Sequence, residues 1–361
     1  MSKRILFISN GHGEDFIAVE LIKVLLNNGS QYDLFALPMV GNSGAYDRVK
    51  GVQKIGPQKD MSSGGFIKSV KNIFNDLKDG LIGLHFKQMM NARKQPYDLV
   101  VAVGDFFPFI MSVVFLKYSK LILISTAKSD RFESHFLLER YFFKKHHAIV
   151  YVRDIETEKS LVQQGVNALY KGNIMMDMIH CPAKKLSQKN QAITIGVLPG
   201  SRHEAYQNFE LIKQVINHLP KEWSVQIAVP SSLNKAKFSE DELQQAIIFT
   251  TFEELLSTSD AVIGLAGTAN EQCIGCGIPL FTFPATGMQT TRKRFIQQKK
   301  LLNNLVEYVD TNDSAIIAKH IVQCLESKSF IENVQINGPK AMGKPGGARA
   351  IAGDIKCILE S

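Results

Sequence analysis

Two series of short β-branched, apolar runs, each run followed by a longer stretch of helical period, restrict this chain more than any other feature. The first series is RILFIS (4–9), YDLFAL (32–37), LVVAVG (99–104), LILIS (121–125) and AIVYV (148–152). The second is ITIGVL (193–198), SVQIAV (224–229), AIIFT (246–250), AVIGLA (261–266) and PLFTF (279–283). Strands separated by helices pair in parallel through right-handed crossovers, so two such series predict two doubly wound α/β domains. Between them NIMMDMIHCPAKKLSQKNQ (173–191) passes from apolar to polar residues around a proline, as an interdomain linker does. The expected division is therefore a first domain over 1–172, a linker over 173–191 and a second domain over 192–361. At 361 residues, 45% of them hydrophobic, the chain can fill two cores.

A net charge of +8 favours an anionic partner, whether phosphate groups, nucleic acid or acidic lipid. No basic run is interleaved with aromatic residues as in a base-stacking platform, so nucleic acid is not the expected partner. The chain has no uncharged apolar stretch of about 18 residues, so no spanning helix is expected. MSKRILFISNGHGED meets acids too soon for a signal peptide, and a cytoplasmic protein is expected. Its five cysteines read as reduced thiols, and the lone pair Cys273-x-x-Cys276 reads as packing on a buried helix face rather than as a zinc or redox site.

Ligands of open parallel sheets bind beyond the carboxyl ends of the strands, so the turns there carry the functional argument. After the first strand come Asn10, Gly11, His12, Gly13, Glu14 and Asp15. The glycines let a ligand approach the backbone and the helix that follows offers free N–H groups. The third glycine of the dinucleotide fingerprint is missing, however, and Glu14 and Asp15 would repel a pyrophosphate or simply cap the helix. A carbohydrate or an acid–base step suits this turn better. In VVAVGDFFPFI, Asp105 follows a strand and Gly104 among aromatic rings, where a carboxylate can serve as a general base or as a helix N-cap.

In IGVLPGSRHEAYQNF, Gly200, Ser201 and Arg202 form a turn into a helix and make a diphosphate cradle. No Walker lysine pattern accompanies it, which excludes a P-loop NTPase. In AVIGLAGTANEQCIGCGIPLFTFPATGMQ, Gly267 and Thr268 lead into a helix bearing Glu271 and Gln272, and a second glycine turn runs from Thr286 to Gln289. An acid or amide one turn into such a helix can take ribose hydroxyls while the glycine turn approaches phosphate.

PGSR (199–202), GTANEQ (267–272) and GNIMMD (172–177), together with GHGEDFIAVELI and FPATGMQTTRKRFIQQKKLL, resemble the lipid-A-disaccharide synthase family, in particular the bacterial group related to that synthase. The resemblance implies the GT-B fold, with two Rossmann-like doubly wound domains facing across a cleft. It implies metal-independent transfer of a sugar, N-acetylglucosamine or a derivative, from a UDP-sugar to a lipid or lipid-linked acceptor, with no cofactor. The absence of a D-x-D motif near a strand end agrees with this. Carried onto this chain, Gly200, Ser201, Arg202, Gly267, Thr268 and Ala269 would lie by the donor nucleotide or its diphosphate, with Gln289 nearby. The synthases' glutamate after G-T-A aligns with Gln272, so Glu271 is the expected ribose contact with Gln272 beside it. Asp105 resembles the essential acid of the synthases, and His12 resembles the histidine of the G-H turn in the lipid II-forming N-acetylglucosaminyltransferase. Either would activate the acceptor hydroxyl, with Asn10, Gly11, Gly13 and Glu14 forming the acceptor side.

From Gly64 to Lys94 the residues Phe66, Val70, Ile73, Phe74, Leu77, Leu81 and Leu84 recur at helical spacing among an excess of lysines. Such a stripe either lies on an anionic bilayer or packs into the first domain. Peripheral membrane association is the reading the resemblance supports. Two other classes share the fold: a sugar-nucleotide epimerase, for which His203 and Glu204 are candidates, and a non-catalytic protein that binds nucleotide-sugar or lipid.

Overall fold

The structure is a computed structural model that describes residues 2–27, 32–41, 44–59, 81–181, 193–238, 243–287 and 290–360. The chain forms two compact units, Met1–Met178 with Pro345–Ser361, and Ile179–Lys344.

In the first unit seven parallel strands, β1 (Lys3–Ser9), β2 (Tyr32–Pro38), β3 (Val52–Lys54), β4 (Tyr97–Gly104), β5 (Tyr118–Ser125), β6 (Ile149–Tyr151) and β7 (Ala168–Leu169), take the order β3-β2-β1-β4-β5-β6-β7. In the second, β8 (Thr194–Leu198), β9 (Ser224–Ala228), β10 (Ile247–Thr250), β11 (Ala261–Gly264), β12 (Leu280–Thr282) and β13 (Val306–Tyr308) take the order β10-β9-β8-β11-β12-β13. Each sheet is doubly wound, and its strand order reverses between the first strand and its other neighbour: β1 against β4, and β8 against β11. All ten runs read from the sequence are strands. The three that were not read, β3, β7 and β13, lie at sheet edges and have two or three residues, too few to show a period.

The central strands are mostly apolar because helices cover both faces. Ile5, Leu6, Phe7 and Ile8 are all fully buried. Leu6, Ile8, Val100, Ala102 and Leu123 meet Phe109 and Phe143 from the helices in one core. Ile195, Val197, Ile227 and Ile263 meet Phe209, Ile212 and Ile321 in the other.

The second domain does not run to residue 361 as expected, because the last helix, Gly347–Glu360, belongs to the first unit. Asp177, at the end of the GNIMMD segment, accepts hydrogen bonds from the backbone N–H of Gly346 and Ala348 and so caps this helix. A Cβ on Gly347 would stand 2.9 Å from the Gly172 carbonyl oxygen, so only glycine allows the approach. Residues 182–191 of the expected linker lie outside the described residues.

The reading of all five cysteines as thiols is also corrected. Cys181 and Cys276 form a disulfide with their Cα atoms 5.1 Å apart, whereas the Cys273 thiol is buried and takes no part in it. Cys181 stands 95 residues from Cys276, a pairing that no local spacing could indicate.

Residues 64–80 of the basic amphipathic segment lie outside the described residues. In the helix Leu81–Ala92 that ends it, Leu81, Leu84 and Met89 are buried in the first core, so this part of the stripe packs inward. Among the described residues no helix is long and apolar enough to cross a membrane.

Candidate functional site

The reversal point of the second sheet holds the turns read as a phosphate cradle. β8 ends at Leu198 and β11 at Gly264, and Leu265 N–H donates to the Leu198 carbonyl at 2.8 Å, tying the two exits together. Beyond them opens a cavity of about 360 Å³ lined by Gly200, Ser201, Arg202, Glu204, Gly267 and Gly287, among others. Gly200 has φ +114°, and a Cβ there would lie 3.2 Å from the Leu265 carbonyl oxygen. Gly287, at φ +113°, leaves equally little room beside Glu204.

Two helices begin at this cavity, Ala205–Ile216 and Thr268–Gly275, and neither has a side-chain cap. Side chains do cap eight other described α-helices, through Asp105, Asp154, Asn173, Asp177, Thr251, Thr291, Asp313 and Ser327. A helix N-terminus presents backbone N–H groups and a partial positive charge, and two converging on one cavity beside the Arg202 guanidinium suit an anion.

A buried amide holds the site together. Asn208 Nδ2 donates to the Pro199 carbonyl at 3.3 Å, and its Oδ1 accepts from Thr286 N–H at 3.0 Å. One side chain thus fixes the turn after β8 against the turn after β12. On the other flank Gln298 Nε2 donates to the Gly267 carbonyl at 3.1 Å, and its Oε1 accepts from Asn270 Nδ2 at 3.2 Å. Asn208 and Gln298 were not among the residues read from the sequence, and Asn270, which stands in the GTANEQ helix, serves the packing of the turn and not the cavity lining. Buried amides inside helices are a signal for them, but one that does not name the turns they bridge.

The remaining donor-side candidates are placed unevenly. Thr268 and Ala269 open the helix after Gly267 and do not line the cavity. Gln272 is buried at 5% exposure, whereas Glu271 is half-buried in the first turn. Gln289 lies outside the described residues.

In the first unit the exits of β1 and β4 also meet. Asn10 Nδ2 donates to Asp105 Oδ1 at 3.3 Å, and Phe107 N–H donates to the same oxygen at 2.8 Å, so Asp105 is an N-cap that also reaches the β1 turn. Gly104, at φ +129°, brings the two turns close: a Cβ there would lie 3.3 Å from Glu14 Cγ and 3.4 Å from Asn10 Cβ. Asn10, Gly11, Glu14 and Asp105 are therefore neighbours, with Gly13 exposed in the helix His12–Asn27. The side chain of His12 lies outside what the structure describes.

Asp15, next to Glu14, is buried and does not cap the helix. Its Oδ1 accepts from Ser9 Oγ, which is also 2.7 Å from Tyr46 Oη, and its Oδ2 has no hydrogen-bond partner among the described residues. Burial pushes its pKa up to about 7, against a partly offsetting Ser9 bond and with a further rise from the Glu14 charge.

Beyond β5 and β6 lies a second cavity, of about 330 Å³, which Ser125, Thr126, Tyr151, Arg153 and Asn173 help to line. Ser125 belongs to a buried chain of polar groups: its Oγ is 3.2 Å from His135 Nε2, and His135 Nδ1 is 3.0 Å from Glu139 Oε2. The order is that of a hydrolytic triad, but Lys128 Nζ binds both Glu139 oxygens, at 2.8 and 3.0 Å, and Phe136 N–H binds Oε2 as well. Burial raises the Glu139 pKa, and the hydrogen bonds from His135 and Lys128 outweigh it and leave the pKa lowered. A carboxylate so fully engaged is a clamp between the segment after β5 and the helix Leu137–Lys145.

No family model and no curated protein matches the chain. Solved structures do resemble it over its whole length. The calicheamicin glycosyltransferase CalG4 is 14% identical with a TM-score of 0.66, covering 99% of this chain and 98% of its own. MurG of Acinetobacter baumannii is 13% identical with a TM-score of 0.60, covering 98% and 99%. The UDP-GlcNAc 2-epimerase of Neisseria meningitidis, bound to UDP-GlcNAc, is 13% identical with a TM-score of 0.53, covering 99% of each. At these identities the likeness establishes the fold, and the two Rossmann-like α/β units of this chain are those of GT-B proteins.

Proposed function

We propose that this protein is a glycosyltransferase that moves a sugar, N-acetylglucosamine or a derivative, from a UDP-sugar to a lipid or lipid-linked acceptor. The observation that carries the proposal is the pair of helix N-termini without side-chain caps at the second sheet's reversal point, with Arg202 in the same cavity. Glycosyl transfer builds negative charge on the departing diphosphate while the anomeric carbon gains oxocarbenium character. Fixed N–H dipoles and a guanidinium stabilise that charge without reorganising. No metal is assigned to this step. The ribose contact falls to Glu271, the more exposed of the two candidates.

The first unit takes the acceptor in this reading. Asp105 is the general base for its hydroxyl, oriented by Asn10, and His12 is the alternative base. The motifs of the lipid-A-disaccharide synthase family point to a lipid acceptor. A surface feature supports it: Phe136, Leu137, Leu138 and Tyr141 are exposed, Leu137 at 80%, on the segment that also carries Arg140, Lys144 and Lys145. Apolar side chains ringed by cations suit an anionic bilayer surface.

Thermal stabilisation against a panel of nucleotides tests the donor. UDP and a UDP-sugar raise the melting temperature where ADP and GDP do not, and no shift with any uridine nucleotide would overturn the assignment. A second reading, sugar-nucleotide epimerisation, has support from the fold shared with UDP-GlcNAc 2-epimerases and from Glu204 at the cavity wall. Incubation with a UDP-sugar alone separates the two, since an epimerase converts it without an acceptor.

A further inference from the structure

The edge strand β13 and the helix Ser314–Glu326 bring together a carboxylate, an imidazole and a thiol that take no part in the sites above. His320 Nε2 lies 3.3 Å from Glu307 Oε2 and 3.4 Å from Cys324 Sγ, and all three ligand atoms lie within 4.8 Å of one another. His320 and Cys324 are four residues apart on one helix, hence on one face. Glu307 is fixed opposite them by its pairing with Phe281 in β12, and the Phe281 ring meets the His320 imidazole edge-on with centroids 6.4 Å apart.

Those spacings have a chemical meaning. A tetrahedral zinc ion with bonds of about 2.3 Å to sulfur and about 2.0–2.1 Å to nitrogen and oxygen sets its nitrogen and sulfur ligands about 3.6 Å apart, and nitrogen and oxygen about 3.3 Å apart. Two edges of the ligand triangle are already close to these lengths. We propose that Glu307, His320 and Cys324 form a binding site for a borderline-soft divalent cation of the zinc class, with the fourth position open to water.

A thiolate and an imidazole select zinc over magnesium or calcium, which demand oxygen ligands. On binding, the Cys324 proton passes to solvent, and the two anionic ligands neutralise the ion. The opposing charge is Lys299, on the helix Arg292–Leu301, whose field reaches Cys324. None of the three residues lines the cavity at Arg202, so the inference does not rest on the sugar-nucleotide reading.

The test uses the full-length protein, stripped with a chelator and titrated with Co²⁺. The expected result is one equivalent bound, with thiolate-to-cobalt charge-transfer absorption that Zn²⁺ abolishes by displacement. Cys324→Ser removes the charge-transfer band, and His320→Ala and Glu307→Gln each weaken binding at least tenfold. Cys357→Ser, which replaces an exposed thiol elsewhere, leaves the spectrum unchanged. A wild-type titration without a thiolate band overturns the proposal even if a variant fails to fold. So does a band that survives Cys324→Ser. Stabilisation by UDP is measured in parallel and reports on the other site alone.

Discussion

Ser9 Oγ donates a hydrogen bond of 2.5 Å to Asp15 Oδ1, and both residues are buried beneath the turn that carries Glu14. Asp15 keeps its proton up to about pH 7, whereas an ordinary aspartate loses it near 3.8. Between those values the native state binds more protons than the unfolded chain, so this group's contribution to stability is full below pH 3.8 and is lost as the pH rises through 7. Asp15→Asn removes the dependence. Melting temperatures of wild type and variant between pH 4 and pH 8 should therefore converge or cross as the pH rises. The wild type loses a few kcal/mol relative to the variant, at about 1.4 kcal/mol per unit of pKa shift.

Arg202 and Asn208 act on the same cavity in different ways. Arg202→Ala removes a cation from a proposed diphosphate site, and charge-assisted hydrogen bonds of about 1.5–3 kcal/mol predict a loss of UDP affinity of about 10- to 150-fold, with a smaller fall in melting temperature than Asn208→Ala. Asn208→Ala frees two backbone groups that it now satisfies, so it should lower the melting temperature as well as UDP affinity. Calorimetric titration alongside thermal melts separates the two. Equal stability losses in both variants would contradict this division of roles.

If Asp105 is the base, Asp105→Asn should lower kcat by about 10²- to 10⁴-fold while leaving UDP binding unchanged, because the described residues that line the proposed donor cavity all belong to the second unit. Loss of the Asn10 bond in Asn10→Ala should lower kcat less, through disorder of the carboxylate. A normal kcat in Asp105→Asn together with a collapsed kcat in His12→Ala would transfer the role to His12.

The legible part of this molecule is the part written in contiguous residues. Runs such as RILFIS and AVIGLA are apolar because both faces of their strands are covered, and the reversal of strand order then places the turns at Asn10, Gly104, Gly200 and Gly267 beside their partners. Glycine and helix-start chemistry announce those turns locally. What joins them is not local. Asn208 bridges two turns 87 residues apart, Asp177 caps a helix 170 residues downstream, and Cys181 pairs across 95 residues. Each of these side chains has an ordinary surface or helical reading in sequence, and only burial gives it a partner. Gln272 shows the converse: its position in GTANEQ resembles a ligand contact, yet the helix turns it into the interior.

The clamp at Glu139 offers a test of burial that is independent of any substrate. Lys128 is 8% exposed and Glu139 5%, so neither charge has water to turn to if its partner is removed. Glu139→Gln leaves the ammonium with neutral acceptors only and should cost about 3–5 kcal/mol. Lys128→Met alone should cost less, since the His135 and Phe136 hydrogen bonds to the carboxylate survive. The double variant should be more stable than Glu139→Gln, because no buried charge is then left unpaired. Urea denaturation of the four proteins completes the cycle. Simple additivity would mean that the pair is solvated in solution and that the segment after β5 does not depend on it.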